Sequence, residues 1–413
     1  MTAGQTLQTP GCIILRVNSS VRADVLTSRE QRQRDVVAAL SQVLPGETIL
    51  FRHEDTAPFE CDALTAYRTS PLVVVLPHTE AQVAAVLKTC HYLGVPVVAR
   101  GAGTGLSGGA TPHQSGVILS LAKFNKILKI DAASCTAIVQ CGVRNLAISE
   151  AAAAYGLYYA PDPSSQIACT IGGNVAENSG GVHCLKYGLT LHNVLRVRGF
   201  MVDGEPVEFG SQALDAPGLD LLSVIVGSEG MLAVTTEVTV KLIPKPLLAR
   251  CIMASFSDIE SAGAAVASVI AHGIIPAGLE MMDRAMTAAV DAFVHADYDL
   301  EAAAILLCES DGTPEEVEEE IAHMEFSFST PTPCSPVTVP PSRTLVSKIS
   351  APNNSQRRIS SGSAASNKIN GCKLPSPAWK TFTQRRLYLA SICWMARSIS
   401  AKRLRGMVES MHI

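Results

Sequence analysis

Arg100-Gly101-Ala102-Gly103-Thr104-Gly105-Leu106-Ser107-Gly108-Gly109 places five glycines behind one arginine, directly after the apolar run Val95–Ala99. Glycines let main-chain N–H groups approach a pyrophosphate and form an anion-binding nest, and Arg100 adds positive charge beside it. Gly103, Gly105 and Gly108 match the spacing of a Rossmann dinucleotide fingerprint. That fingerprint requires the loop to enter a helix whose N-terminus faces the phosphates. Here it enters Thr111-Pro112-His113-Gln114-Ser115-Gly116 and then an expected strand, Val117–Leu121. A plain surface turn needs fewer glycines. The loop is expected to hold a dinucleotide, in a fold other than Rossmann.

A second small-residue loop follows about sixty residues on: Pro161-Asp162-Pro163-Ser164-Ser165, then Thr170-Ile171-Gly172-Gly173-Asn174-Val175-Ala176-Glu177-Asn178-Ser179-Gly180-Gly181. With the first loop it resembles the FAD-binding domain of the vanillyl-alcohol oxidase superfamily, PCMH type. Within that superfamily, the run from Glu60-Cys61-Asp62 to Leu279-Glu280-Met281-Met282-Asp283 is similar to the family of bacterial glycolate oxidase FAD-linked subunits. Tyr67-Arg68-Thr69, Tyr187-Gly188-Leu189-Thr190 and Gly227-Ser228-Glu229-Gly230-Met231 carry the same resemblance, which covers roughly residues 45–325.

The resemblance implies an α+β fold. Residues 45–245 would form a two-subdomain FAD-binding domain, and 246–325 an incomplete α+β cap domain of the FAD-linked oxidase C-terminal type. It assigns Arg100, Gly101, Ala102, Gly103, Thr104, Gly105 and Leu106 to the pyrophosphate. Pro161, Asp162, Ser165, Thr170, Gly172, Gly173, Asn178, Gly180 and Gly181 would lie along the flavin, with Glu229, Gly230 and Val234 returning to the adenine side. Small residues leave room for a planar ring, and N–H groups near flavin N1 and O2 would stabilise its anionic reduced form. Some members tether the flavin through a histidine of the first loop. Thr104 and its neighbours offer none, so FAD is expected to be non-covalent; His113 and His183 are read as ordinary polar loop residues.

The implied activity is oxidation of a short 2-hydroxy acid, glycolate or D-lactate, to the 2-oxo acid. A base takes the hydroxyl proton while hydride leaves the α-carbon for flavin N5, and positive groups or a metal clamp the carboxylate. The implied partners are a second FAD-type subunit and an iron–sulfur subunit that passes electrons toward the membrane. In resembling proteins the clamp comes largely from His-Ala-Gly-Asp-Gly-Asn and Gly-Glu-His-Gly stretches of the C-terminal domain. Neither stretch is present, and the only histidine after position 323 is His412. Glu280 and Asp283 are read as solvated helix-end residues; no catalytic base and no metal site are assigned. Two other readings are a flavin-binding remnant without turnover and a basic tail that binds nucleic acid.

The elements that must position these loops follow from local pattern. Leu72–Leu76 reads as a strand. Thr79-Glu80-Ala81-Gln82 is a capping box opening a helix whose Val83, Val86, Leu87 and Cys90 share one face, with Gly94 as its end. Lys126–Asp131 with Cys135–Cys141, and Val194–Val202 with Pro206–Phe209 around Asp203-Gly204, read as hairpins; Leu146–Tyr155 reads as a helix and Met231–Leu242 as a strand. Beyond a boundary at Pro244-Lys245-Pro246 come a helix from Asp258 capped by Ser257, a helix near Ala285–Ala296, the strand Ala302–Leu307 and a helix opened by Thr313-Pro314-Glu315-Glu316. Residues 1–44 are an N-terminal extension, loose over 1–28.

Charge divides the chain. Residues 326–413 hold thirteen Lys/Arg and one acid, Glu409, which leaves 20 basic and 36 acidic residues in the first 325. The tail is also rich in Ser and Pro, so it is expected to be disordered, with Trp379–Trp394 its only helix-capable part. The abrupt change points to a frameshift or truncation near Met324–Phe326, which interrupts the cap domain. The tail's positive charge is dispersed, without a base-stacking module, which speaks against nucleic acid. No apolar run approaches the roughly 18 residues that span a bilayer, and the N-terminus lacks a secretory pattern. Twelve cysteines without a Cys-x-x-Cys pair fit a reducing compartment. The expected location is the cytoplasm, peripheral to the inner membrane through partner subunits.

Overall fold

A computed structural model describes residues 19–211, 218–295, 298–329 and 345–347. The first sheet contains β1 (Ile49–Leu50), β2 (Val73–Val75), β3 (Val97–Arg100) and β4 (Val117–Ser120), in the order β1-β2-β4-β3. β2 and β3 both run parallel to β4. Parallel strands of one sheet need a crossover, and the helix Glu80–Tyr92 makes it from β2 to β3, which lie on either side of β4. Its capping box forms as the spacing requires: Thr79 Oγ1 accepts from the Gln82 N–H, and Gln82 Oε1 accepts from the Thr79 N–H. Val83, Val86, Leu87 and Cys90 all face the core, and Gly94 ends the helix at φ +59°.

The expected loose extension is helical from Ser19 to Leu40. Val36, Leu40 and Leu44, spaced by four, enter the first core. The charged run before them, Arg29–Asp35, hides that spacing in the sequence.

The second sheet is antiparallel. It takes β5 (Ile127–Asp131) and β6 (Thr136–Gln140), skips the short β7 (Leu157–Tyr158), and continues with β8 (Val194–Phe200), β9 (Pro206–Gly210) and β10 (Val234–Lys241). The order is β5-β6-β10-β8-β9, so the last strand made lies in the middle. Both expected hairpins form, the second turning at Gly204 with φ +78°. β7 pairs with β11 (Ile243–Pro244), which places the expected boundary at the end of a two-stranded ribbon.

After it β12 (Leu248–Phe256), β13 (Gly278–Asp283), β14 (Ala304–Gly312) and β15 (Leu345–Ser347) form the cap sheet, ordered β13-β14-β12-β15. The helices Ile259–Ala271 and Pro314–Ser329 cover one face through Ala262, Val269, Ile321, Met324 and Phe328. Met282, Val290, Ile305 and Leu307 pack on the other.

Several expectations change here. Asp258, not Ser257, caps its helix: Asp258 Oδ1 accepts the Ser261 N–H at 2.7 Å. β14 runs on through Glu309, Ser310 and Asp311, polar residues that mask a strand in the sequence. The final helix continues to Ser329, with Phe328 in the core, so ordered packing passes the expected break at 325. Residues 345–347 of the expected disordered tail form a strand against β12. Trp379–Trp394 lies outside the described residues.

Candidate cofactor-binding site

The end of β3 delivers the first glycine loop to a cleft of about 460 Å³, and the second loop forms the facing wall. That size suits an organic cofactor, for which pockets of roughly 300–1,000 Å³ are usual. Arg100 to Leu106 all line it, as do Ser165, Thr170, Gly172, Gly173, Gly180, Gly181, Glu229 and Gly230. Four assigned residues stand behind the wall. The Pro161 carbonyl accepts from Asn145 Nδ2 at 2.8 Å, and Asn178 Oδ1 accepts the Leu191 N–H at 2.9 Å. Val234 is buried in the first core while its neighbours Ala233 and Thr235 line the cleft. Asp162 joins the ion cluster described below.

The glycines serve the packing of loop on loop. A Cβ on Gly101 would strike Thr170 Oγ1, and one on Gly172 would lie 2.7 Å from Cys141 Cβ. Thr170 caps the short helix Ile171–Glu177, and its hydroxyl accepts the Gly173 N–H at 3.4 Å. Behind this wall two buried amides lock together, Asn174 Nδ2 donating to Asn145 Oδ1 at 2.7 Å. Gly103 adopts φ +69°, and a Cβ there would strike the Arg100 guanidinium. Arg100 itself turns under the loop. It is 8% exposed, stacks 5.6 Å from the Phe59 ring centroid, and donates to the Ala110 carbonyl at 3.1 Å. Burial lowers its pKa, against the opposing charge of Asp62.

Sequence reasoning passed over two acids of the cleft as a pair. Glu177 is held above the usual carboxylate range by burial and then by Glu229 and Asp62; Glu229 is raised by burial and then by Asp62. Asp62 is buried, and its Oδ2 has no hydrogen-bond partner. Glu229 and Asn178 both hold positive φ, +54° and +50°, which side-chain-bearing residues adopt at a cost of order 1–3 kcal/mol. Such strain concentrates where a surrounding structure fixes it.

These residues fit FAD. Gly101, Gly103, Gly172, Gly173, Gly180 and Gly181 all line the cleft and bring main-chain groups to its walls, which suits a dinucleotide. Among the described lining residues there is no histidine to tether a flavin.

Beyond Gly181 the chain meets the cap sheet, and here His183 departs from its reading as an ordinary loop residue. Its Nδ1 lies 2.6 Å from Asp162 Oδ2 and its Nε2 lies 3.8 Å from Glu309 Oε1 on β14. Burial opposes its charge, but the two carboxylates prevail and raise its pKa to about 11. Lys186 Nζ lies 2.7 Å from Asp311 Oδ1, and the Tyr187 hydroxyl donates to the same carboxylate. Glu280 is half-buried on β13, not a solvated helix end, and burial followed by Asp162 raises its pKa. Asp283 caps the helix Arg284–Val294 by accepting the Met286 N–H at 2.7 Å. The sequence carried no local signal for this cluster, because its acids sit on a strand whose polar end was not expected.

Comparison with known proteins agrees with the geometry. Residues 71–210 match the family described as FAD binding domain, and residues 245–331 match the C-terminal domain of FAD linked oxidases. The glycolate oxidase subunit GlcD of Escherichia coli strain K12 is 60% identical over 285 residues, covering 69% of this chain and 57% of the relative. GlcD of Bacillus subtilis is 37% identical over 293 residues, 71% and 62% of the two chains. A D-lactate dehydrogenase of Anaerostipes hadrus is 33% identical over 295 residues, 70% and 62%. The chain thus spans about three-fifths of the length of the curated relatives it matches. Among solved structures, p-cresol methylhydroxylase superposes with a TM-score of 0.61 at 19% identity, over 76% of this chain and 66% of that one, which shows the shared fold. Two glycine-walled loops facing one cleft, followed by a cap sheet, are thus matched in the same order by the FAD binding domain and by the C-terminal domain of FAD linked oxidases.

Proposed function

We propose that the chain holds FAD non-covalently and serves FAD-dependent oxidation of a short 2-hydroxy acid, glycolate or D-lactate, to the 2-oxo acid. The single observation that carries this reading is the convergence of both glycine loops on one cleft. Bound there, FAD supplies the acceptor for the two electrons that leave the α-carbon. The chain's own residues do the rest. The first loop offers main-chain N–H groups to the diphosphate, and Arg100 braces that loop from beneath. Gly172, Gly173, Gly180 and Gly181 give the ring a flat wall, and the buried Asn145–Asn174 pair holds that wall still.

The names of the relatives support the substrate class: two are glycolate oxidase subunits and one is a D-lactate dehydrogenase. By the same reading the chain is the FAD-carrying member of an assembly with a second FAD-type subunit and an iron–sulfur subunit. It works in the cytoplasm and meets the inner membrane through them; among the described residues no helix is long and apolar enough to cross a membrane. No base is assigned. A flavin-holding remnant without turnover is the second reading, favoured by the charge break after residue 325.

An absorbance spectrum of the purified chain, soaked in FAD and then mixed with glycolate or D-lactate under argon, tests both. Flavin bands that bleach slowly are expected, the activity being impaired in this chain; no bleaching at all favours the remnant. Rapid bleaching removes the remnant reading, and folded protein that stays colourless in excess FAD overturns the cofactor assignment.

A further inference from the structure

We propose that His183 is a positioning residue that ties the flavin end of the cleft to the central strand of the cap sheet, through Asp162 on one side and Glu309 on the other. This rests on the reading of the cleft as the flavin site. Gly180 and Gly181 line the cleft, and Gly181 packs so closely on Asp162 that a Cβ would collide with it. Asp162 fixes His183 twice, Oδ1 accepting its main-chain N–H at 3.2 Å and Oδ2 lying 2.6 Å from Nδ1. The other ring nitrogen faces Glu309. Val182 meets β13 at Gly278, where a Cβ would lie 3.0 Å from Val182 Cγ1, so the segment seats directly on the cap sheet.

The charges are divided between the two halves. Glu309 and Asp311 are 6% and 5% exposed. They alternate along β14, so both point to one face, and their cations, His183 and Lys186, come from the cleft-bearing half. A buried carboxylate left without its cation is strongly unfavourable. Removing a cation from the docked cap therefore leaves an acid buried and alone, undocking separates both pairs at once, and the docked position is the one that holds Gly180 and Gly181 in line with the flavin wall.

The groups facing His183 are Asp162 from the loop after β7, Glu309 from β14 and Glu280 from β13, with Tyr158, Tyr187, Lys186 and Asp311 around them. Acids outnumber the imidazole, so the cluster repels a substrate carboxylate. Its role is to position. Because the folded-state pKa of His183 rises from 6.5 to about 11, its stabilising contribution is complete below pH 6.5 and is lost as pH climbs toward 11.

The test uses the full chain with His183→Gln, Glu309→Gln and the double variant. Without cofactor, His183→Gln is expected to speed hydrogen exchange of β14 amides about tenfold, and adding Glu309→Gln to restore most of the protection, a non-additive cycle. With FAD, His183→Gln is expected to weaken binding about tenfold, again recovered in the double variant. The wild-type melting temperature is expected to fall by several degrees more than that of the double variant between pH 7 and pH 10. Should His183→Gln fail to fold, this last comparison decides alone. Exchange and FAD affinity unchanged by His183→Gln, or a wild-type pH profile in the double variant, would overturn the proposal. Loss of FAD binding by the wild type overturns the cofactor reading and leaves the exchange arm intact.

Discussion

The cleft-bearing half and the cap half treat their buried polar groups differently. In the first, Asn145 meets Asn174 and the Pro161 carbonyl, and Arg196 meets Glu237 at 2.6 Å, all within the same half. In the second, among the described residues, Glu309 and Asp311 find their cations across the boundary. Each half has its own apolar core, but the cap draws the cations of its two buried acids from the other half. Such a difference teaches that the cleft-bearing half is held by its own polar partners, while the cap is placed by its neighbour's charges.

Urea unfolding, followed by circular dichroism and by flavin fluorescence, is the way to break this contrast. Phe328→Ala is expected to cost about 3–5 kcal/mol in the transition that melts the cap, with FAD affinity falling only as the cap unfolds. Leu40→Ala is expected to cost about 2–5 kcal/mol in the transition of the cleft-bearing half. If both shift one shared transition equally, the halves are not separable and the contrast falls. Asn145→Ala sharpens it: removing an amide that satisfies both Asn174 and Pro161 is expected to cost roughly 1–3 kcal/mol and to weaken FAD binding measured by fluorescence quenching. Thr79→Ala, which removes the cap of the helix Glu80–Tyr92, is expected to cost about 0.5–2 kcal/mol in the cleft-bearing half and to leave β14 exchange unchanged.

The cleft was largely legible from the chain, since its loops announce themselves by composition and follow strands with strong period. The helix at Glu80 was legible to its buried face, because Thr79 and Gln82 set its start and Gly94 its end. Val234 shows where reading by segment stops: on a strand, successive side chains point to opposite faces, so its neighbours reach the cleft and it does not. The His183 cluster was illegible for a different reason. Its partners lie far along the chain, Asp311 being 125 residues after Lys186, and Glu309-Ser310-Asp311 resembles a loop until β12 and β13 flank it. The glycines carried a double meaning. They were read as room for a ligand, and Gly101 and Gly172 prove also to be room for Thr170 and Cys141.

β10 occupies the middle of the second sheet, hydrogen-bonded to β6 on one side and β8 on the other. During synthesis, the hairpins that flank it emerge first and wait with open edges for residues 234–241 to leave the ribosome. Pairing of such sequence-distant strands is slow, and exposed edges recruit other chains. A nascent polypeptide stalled before Lys241 thus presents two open sheet borders until β10 arrives to close both.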